Sequence, residues 1–312
     1  MGVVSVISVD RLSKVYKRPI RSKSGWISDL FHRQHEDVVA LDEVSFALEP
    51  AEFVGYVGLN GAGKTTTMKI LAGILRPTSG TVSVLGYTPW QRKREFLRRI
   101  GFVMGQKRQL WWDLPAADFY SYLQALYAIP NDKYKETLGR MAEMLAVDDL
   151  LDVPVRNLSL GERAKVELIA ALLHDPDVVF LDEPTLGMDV LAQKSMRAFF
   201  SEYNRQFGKT MLLTTHSLSD VEALCSRIII IHEGRILWDG SISELLRRYE
   251  DRRLVRLRVE RDGAIEDVAV EVPKGEVGRV LSEWSSLGRV LEYREEGLRL
   301  EGVLAHMLGG DS

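Results

Sequence analysis

Cysteine is nearly absent from this sequence, which has Cys225 as its one thiol among 312 residues. A disulfide within the chain is therefore excluded, and the scarcity of thiols favours a reducing compartment. Cys225 lies just before an apolar run that starts at Ile228. We expect its side chain to be buried, because free cysteine is among the most buried residue types.

Long apolar runs and a strong excess of charge are missing as well. No stretch reaches the ~18 apolar residues that a transmembrane helix requires. Residues 1–6 have neither the basic start of a signal peptide nor a myristoylation pattern. The net charge is -3, whereas nucleic-acid binders usually carry a basic excess, so we expect no nucleic-acid partner. A role at a membrane would require another polypeptide to supply the membrane span.

The composition is that of an ordinary globular protein, with 46% hydrophobic and 27% charged residues. This length allows two domains, or one large domain with an appendix. No internal repeat and no low-complexity tract is visible.

Apolar segments with strand character recur over the first 240 residues. A β-branched run at 3–9 and the alternation of Val44, Phe46 and Leu48 predict two strands. Short apolar runs predict buried strands at 53–57, 178–181, 210–214 and 228–231. Helical spacing extends from Met68 to Leu75, and residues 92–153 are predicted to be mostly helical. Strands separated by helices indicate an α/β fold with a mainly parallel sheet covered on both faces.

The pattern changes after Gly240. Residues 241–250 are predicted to form a helix, and residues 254–260 and 268–272 to form short strands. We therefore expect a main domain over 3–240 and a small α+β C-terminal unit over 241–312.

A glycine-rich loop lies between the strand predicted at 53–57 and the helix that follows. Its residues satisfy the pattern G-x-x-x-x-G-K-[ST] in full: Gly58, Leu59, Asn60, Gly61, Ala62, Gly63, Lys64 and Thr65. Glycines let successive backbone N–H groups turn inward around an anion, and a helix that begins near Lys64 points its positive end at the same place. We expect Lys64 to neutralise the β- and γ-phosphates of a nucleotide and Thr65 to ligate Mg²⁺, with Thr66 beside them.

Two carboxylates end the apolar strand predicted at 178–181. In a P-loop fold such a strand lies beside the strand of the phosphate loop, so Asp182 is expected to hold Mg²⁺. Glu183 would then polarise the attacking water, a role that typically contributes about 10²–10⁴-fold to the rate. The alternative is an ordinary solvated strand end.

Together with several shorter motifs, these residues resemble the nucleotide-binding subunit of ABC transporters over roughly residues 3–240. Tyr16 stands where that family has an aromatic ring that stacks on adenine. Gln106 matches the glutamine that links the γ-phosphate and Mg²⁺ to the permease, and His216 matches the switch histidine at the γ-phosphate. Residues 186–189 match the loop that crosses to a partner subunit. The resemblance implies a P-loop NTPase cassette that uses ATP and Mg²⁺, with an antiparallel β portion and a helical subdomain at about 92–175.

The family signature, usually written LSGGQ, is matched by residues 158–162. A serine and a glycine at a helix start, here Ser159 and Gly161, make a second anion site. In the family this site covers the nucleotide of another cassette, which implies an ATP-driven dimer, here a homodimer. Leu160 and Glu162 depart from the consensus. Glu162 is expected to bring a negative charge near a phosphate, which would lower activity or favour pairing with a different cassette.

The resemblance further implies a separate transmembrane permease and a peripheral location at the cytoplasmic face of a bacterial membrane. The region after Gln106 looks like that of exporters of drugs, polysaccharides and natural products. The alternatives are an ABC ATPase that acts on DNA or the ribosome, an importer motor, and a nucleotide-binding regulator without activity. Intact Lys64, Asp182, Glu183 and His216 argue against the regulator.

Two segments are particular to this chain. Trp111 and Trp112 follow the basic residues Lys107 and Arg108, and would either anchor a permease or belong to the core of the helical subdomain. The segment 17–36 is longer than usual for such cassettes and places four apolar side chains on one helical face: Trp26, Ile27, Leu30 and Phe31. It is predicted to be either a docking helix for membrane or permease, or a solvated insertion packed on the cassette.

Overall fold

The computed structural model describes residues 5–19, 35–105, 109–261 and 263–308. The chain divides into two compact units, Met1–Asp239 and Gly240–Ser312. Within the described ranges, every helix is too short or too polar to cross a membrane.

A six-stranded sheet forms the centre of the first unit. In sheet order its strands are β5 (Ile100–Met104), β6 (Val178–Asp182), β7 (Thr210–Thr214), β3 (Phe53–Val57), β8 (Arg227–His232) and β9 (Arg235–Ser241). The strands from β5 to β8 in this order are parallel to one another. β7 lies between β6 and β3, so the prediction that the strand at 178–181 is next to the strand of the glycine-rich loop was wrong. Every residue of β3 and β7 is buried, as expected for strands covered on both faces. β5 lies inside the region that the sequence predicts to be helical, so that prediction was too broad.

A smaller antiparallel sheet has the order β2 (His35–Leu48), β1 (Ile7–Pro19) and β4 (Ser79–Val84). β1 begins later than predicted and continues to Pro19, and Lys17 pairs with Asp37 of β2. Both ends of the predicted insertion at 17–36 therefore belong to the antiparallel strand pair β1–β2. Its predicted helical face lies outside the described residues: Trp26, Ile27, Leu30 and Phe31.

The helices of the first unit cover the central sheet, and several of them lie between β5 and β6 along the chain. They are α1 (Lys64–Leu71), α2 (Arg94–Leu97), α3 (Ala116–Tyr127), α4 (Asn131–Leu145), α5 (Leu160–Leu172), α6 (Val190–Phe207) and α7 (Leu218–Leu224). Short 3₁₀ turns lie at Pro89–Gln91, Asp148–Leu150 and Val155–Asn157. α1 is shorter than its apolar spacing predicts, because Gly73 adopts a left-handed φ of 71° and the chain turns there.

The second unit contains α8 (Ile242–Arg248), β10 (Arg252–Arg261), β11 (Ala264–Pro273), a 3₁₀ turn (Lys274–Glu276), α9 (Val277–Leu287), β12 (Arg289–Gly297) and α10 (Leu300–Leu308). Its antiparallel sheet has the order β11-β10-β12. Alternate residues of β10 pack on α9 and form the core: Val255, Leu257 and Val259 against Val277 and Val280. The helix at α8 and the strands β10 and β11 match the predicted elements, whereas α9, β12 and α10 were not predicted.

The single thiol offers a test of the packing beneath the central sheet. Cys225 is 6% exposed, and burial raises its pKa well above the usual range for a thiol. Because only the thiolate attacks disulfide reagents, we expect folded protein to react with such a reagent at least ~100-fold more slowly than protein in denaturant. Absorbance during labelling would measure both rates, with glutathione as the control for reagent activity. Equal rates in the folded and denatured states would contradict the burial of Cys225.

Candidate functional site

The predicted phosphate loop connects β3 to α1 at the centre of the large sheet. Gly63 is the N-cap of α1, with a φ of 108° and no side-chain cap. A β-carbon at Gly63 would lie 2.6 Å from the backbone oxygen of Ala40, so both its conformation and its surroundings require glycine. Because glycine has no side chain that could cap the helix, the first backbone N–H groups of α1 remain available to bind an anion.

Lys64 lies against the loop that precedes it. Its Nζ donates hydrogen bonds to the backbone oxygens of Gly58 at 2.8 Å and Leu59 at 3.0 Å. Burial lowers the pKa of Lys64, while nearby Glu183 and Asp182 act in the opposite direction. A buried ammonium with only carbonyl partners and two carboxylates nearby is suited to a polyanion, since phosphate would neutralise it more fully than carbonyl dipoles do.

One oxygen of Asp182 joins three elements. Its Oδ1 accepts hydrogen bonds from Thr214 Oγ1 at 2.6 Å and from Thr65 Oγ1 at 3.3 Å. A hydroxyl and a carboxylate at this spacing are the hard oxygen ligands that Mg²⁺ prefers, so Thr65 and Asp182 fit the predicted metal. The role of Thr214 was missed, although its place at the end of an apolar strand was a usable signal. Gln106, the third predicted ligand, lies outside the described residues.

Glu183 and His216 are brought together by neighbouring strands. His216 Nε2 lies 2.7 Å from Glu183 Oε1, because β6 and β7 are parallel and Asp182 is in register with Thr214. Glu183 has a φ of 53°, which is unusual for a residue with a side chain. Backbone conformations of this kind persist where surrounding structure holds them, and they are frequent at functional sites. The N–H of Glu183 donates to Thr214 O at 2.9 Å and helps to hold it.

Tyr16 reaches the start of α1 from the antiparallel sheet. Its hydroxyl lies 3.4 Å from Thr66 Oγ1, and the ring is 39% exposed. Lys14 Nζ lies 5.3 Å from the centroid of this ring, and the exposed part of the ring can contact a planar group beside the phosphate loop. Val38 is directly opposite Tyr16 in the strand register and is also exposed. Since opposite residues share a face, Val38 adds an apolar surface that the sequence did not single out.

The signature residues form a capped helix start. Ser159 is the N-cap of α5, and its Oγ accepts from the Glu162 N–H at 3.3 Å while Glu162 Oε2 accepts from the Ser159 N–H at 2.9 Å. Hydrogen bonds from the Ser159 side chain and from the Ser159 N–H to the carboxylate hold the pKa of Glu162 below its usual range. The carboxylate thus completes a capping box.

Gly161 is fixed by close helix packing. A β-carbon at Gly161 would lie 3.0 Å from Cβ of Ala192 in α6, so a side chain there would push the two helices apart. The N-cap of α6 is Asp189, whose Oδ1 accepts from the N–H groups of Leu191 and Ala192, each at 2.9 Å. The signature and the predicted crossing loop are therefore neighbours.

The predicted residues fall into two groups in the described chain. One contains the phosphate loop, Asp182, Glu183 and His216, with Tyr16 reaching Thr66. The other contains Ser159, Gly161 and Asp189. Among the described residues, no hydrogen bond or ion pair joins residues 159–162 to residues 58–66.

A buried ion pair lies behind Glu183. Asp220 of α7 is 1% exposed and accepts from Thr185 Oγ1 and from Arg197 Nη1 of α6, each at 2.6 Å. Thr185 follows Glu183 by two residues, and α7 follows His216 by two. The pair therefore connects the segments that carry these two side chains. No local sequence pattern indicated this network, because its members are separated by up to 35 residues.

An aromatic cluster lies on the helical region between β5 and β6. The Trp111 ring centroid is 5.1 Å from that of Phe119 and 5.4 Å from that of Tyr122. Trp111 and Trp112 are 43% and 41% exposed, which is more than core residues show. The guanidinium of Arg163 lies 5.5 Å above the ring of Trp112. We call Trp111, Phe119 and Tyr122 the aromatic cluster.

Comparison with known proteins shows which family this chain resembles. Residues 41–186 match the family model described as ABC transporter. The chain is 33% identical to the ABC transporter ATP-binding protein NatA of Bacillus subtilis over 72% of its own length and 89% of that protein. It is 34% identical to Nod factor export ATP-binding protein I of Burkholderia pseudomallei over 67% of its length and 68% of that protein. It is 33% identical to the probable multidrug ABC transporter ATP-binding protein YbhF of Escherichia coli, over 67% of its length and 36% of that protein.

Solved structures show the same fold. The structure of an ATP-binding subunit of an ABC transporter superposes with a TM-score of 0.65 at 25% identity, over 78% of this chain and 93% of that one. A dimeric post-hydrolysis state of an ATP-binding cassette bound to ADP and Pi gives 0.62 at 22% identity, over 75% and 98%. The predicted fold class is confirmed, with its parallel core sheet and antiparallel portion. By its sequence and its fold, the chain belongs to the ATP-binding subunits of ABC transporters.

Proposed function

We propose that this chain hydrolyses ATP and thereby drives a separate transmembrane permease. The observation that carries the proposal is the convergence of Lys64, Asp182 and the Glu183–His216 pair at the carboxyl ends of the central strands. Cations, an oxygen donor set and a general base are the parts that phosphoryl transfer to water requires. In this proposal the cassette occupies about residues 3–240, and residues 241–312 form an accessory domain.

The residues of the chain divide the work of hydrolysis. Lys64 exchanges its carbonyl partners for the β- and γ-phosphates, and the N–H groups at the start of α1 bind the same oxygens. Thr65 and Asp182 would hold Mg²⁺, which supplies charge neutralisation at the phosphates when bound. Glu183 accepts a proton from the attacking water. His216 orients Glu183, and Tyr16 packs against the nucleobase.

The separate position of the signature supports a dimer. Ser159 and Gly161 form a capped helix start, yet no hydrogen bond or ion pair in the described chain joins them to their own phosphate loop. They would therefore cover the nucleotide of a second copy, so that two cassettes enclose two ATP molecules. The capping role of Glu162 supports an active site, because its charge is already compensated by the Ser159 N–H.

The aromatic cluster is the proposed contact with the permease. Exposed tryptophan and tyrosine rings are typical anchors of protein interfaces. β5 leads to the cluster from the nucleotide site, since Met104 pairs with Asp182 in the parallel register. A permease seated there would sense the occupancy of the site, with the chain peripheral at the cytoplasmic face of the membrane. Relatives named for Nod factor export and multidrug transport support export as the direction.

Replacing the proposed base should separate binding from hydrolysis. In Glu183→Gln the amide cannot accept the proton of water, so we expect turnover to fall at least ~100-fold while ATP affinity is kept. A dimer should then accumulate with ATP, measurable by light scattering after size exclusion. Lys64→Ala is the matched control, because it should lose ATP binding and therefore the dimer. Normal turnover in Glu183→Gln would refute the assignment of the base.

Asp220 should control turnover through the position of Glu183. Asp220→Asn removes the charge that Arg197 faces, and we expect the unfolding free energy to fall by roughly 1–3 kcal/mol. Below the melting temperature, kcat should fall severalfold with little change in ATP affinity. Glu222→Gln, on an exposed position of the same helix, should change neither quantity. Unchanged kcat in a destabilised Asp220→Asn would limit the network to a role in stability.

The permease contact can be tested with membranes of the source organism. Detergent extracts passed over immobilised wild-type chain should yield a protein with several transmembrane helices. Trp111→Ser should recover at least ~5-fold less of it, because a buried aromatic anchor carries much of an interface energy. Its ATP hydrolysis in isolation should be unchanged. Tyr293→Ser, of similar exposure in the second unit, is the control. Equal recovery by Trp111→Ser and wild type would contradict this contact.

A further inference from the structure

The sheet of the second unit has one apolar face and one charged face. Val255, Leu257 and Val259 of β10 point into the core with α9. Side chains alternate along a strand, so Arg256 and Arg258 lie on the opposite face, where both are exposed. A cavity of about 410 Å³ lies over this face and is lined by polar side chains: Arg256, Arg258, Asp267, Glu292 and Arg294, with Ala269.

The three arginines of this cavity differ in the number of carboxylates that neutralise their positive charge. Arg258 lies between Asp267, with Nε to Oδ1 at 2.8 Å, and Glu292, with Nη1 to Oε2 at 3.6 Å. Arg294 also uses Glu292, with Nε to Oε1 at 2.9 Å. The side chain of Arg256 makes no hydrogen bond or ion pair with any residue in the described part of the chain. One carboxylate therefore serves two arginines, and the third has none.

The strand register makes the position of Arg256 unfavourable. Arg256 is directly opposite Arg294 on β12, and like charges directly opposite each other on neighbouring strands are destabilising. On its other side Arg256 is opposite Ala269 of β11, whose methyl group leaves the space above the strand open. An anion in that space would contact Arg256 and Arg294 together and remove their repulsion.

We propose that Arg256 and Arg294 bind the phosphate group of a small phosphorylated molecule. Guanidinium groups present parallel N–H donors that match the oxygens of phosphate, and such bonds are stronger than neutral ones. The cavity volume lies in the range of small-ligand sites. Asp267 and Glu292 at its edge accept hydrogen bonds from hydroxyl groups of the same molecule. This site lies in the second unit and is independent of the proposed ATP site.

Methyl NMR on the full chain tests the proposal, because an alanine reports on each site. The Ala269 methyl lines the cavity, and the Ala62 methyl lies in the phosphate loop. We expect glycerol 1-phosphate to shift the Ala269 signal saturably, with a dissociation constant below about 1 mM. Sodium chloride of equal ionic strength should not reproduce the shift. A response at Ala62 alone would support the phosphate loop and refute the second site.

Variants that remove one positive charge test whether Arg256 binds the phosphate group. Arg256→Gln should weaken the Ala269 response at least ~10-fold, because a charge-assisted pair of bonds is lost. The variant should fold, since it removes a repulsive charge. Arg289→Gln removes an equal charge from the same sheet outside the cavity and should bind as wild type does. Equal weakening in both variants would show general charge attraction and overturn the proposal.

The phosphate could belong to a soluble ester or to a lipid headgroup. Vesicles of phosphatidylcholine with and without phosphatidic acid, sedimented with the protein, distinguish these sources. Retention that requires both phosphatidic acid and Arg256 would assign a lipid, whereas an Ala269 response to glycerol 1-phosphate without retention would assign a soluble ester. Failure of both probes to depend on Arg256 would refute the site.

Discussion

A single carboxylate oxygen, Oδ1 of Asp182, is the point on which the nucleotide site depends. It accepts from Thr214 at the end of β7 and from Thr65 in the first turn of α1. The bonds therefore join two central strands to the helix that follows the phosphate loop. This arrangement exists because β5, β6 and β7 are parallel and end at the same level, with Met104, Asp182 and Thr214 in register. The positions of Lys64, Glu183 and His216 follow from that common edge.

Much of this site could be predicted because its parts are short and local. The loop from Gly58 to Thr65 is one continuous pattern, and Gly61 and Gly63 within it adopt the positive φ that glycine favours. The buried strands β3, β6, β7 and β8 were found at nearly their observed bounds, because strands covered on both faces are continuous apolar runs. The acidic residues followed directly from the end of β6.

Other features could not be predicted because they depend on contacts between distant segments. β5 is only five residues long and lies between α2 and α3, so its short apolar run was not separated from its helical surroundings. Asp220 is an ordinary polar residue in the sequence, and only folding places it between Thr185 and Arg197. Glu162 seemed unfavourable when its charge was considered alone. Its bond to the Ser159 N–H depends on the backbone at the start of α5, which the charge pattern does not specify.

The contact of Gly161 with Ala192 has a mechanical consequence. A β-carbon at Gly161 would lie 3.0 Å from Cβ of Ala192, so the first turns of α5 and α6 pack closely and resist sliding past each other. We therefore expect the two helix ends to move together. A displacement of Ser159 would then also displace Asp189 and, through α6, Arg197 and its partner Asp220, which lie behind Glu183. Glycine at position 161 thus allows the close contact that couples the two helices, and a bulkier residue there would weaken this coupling.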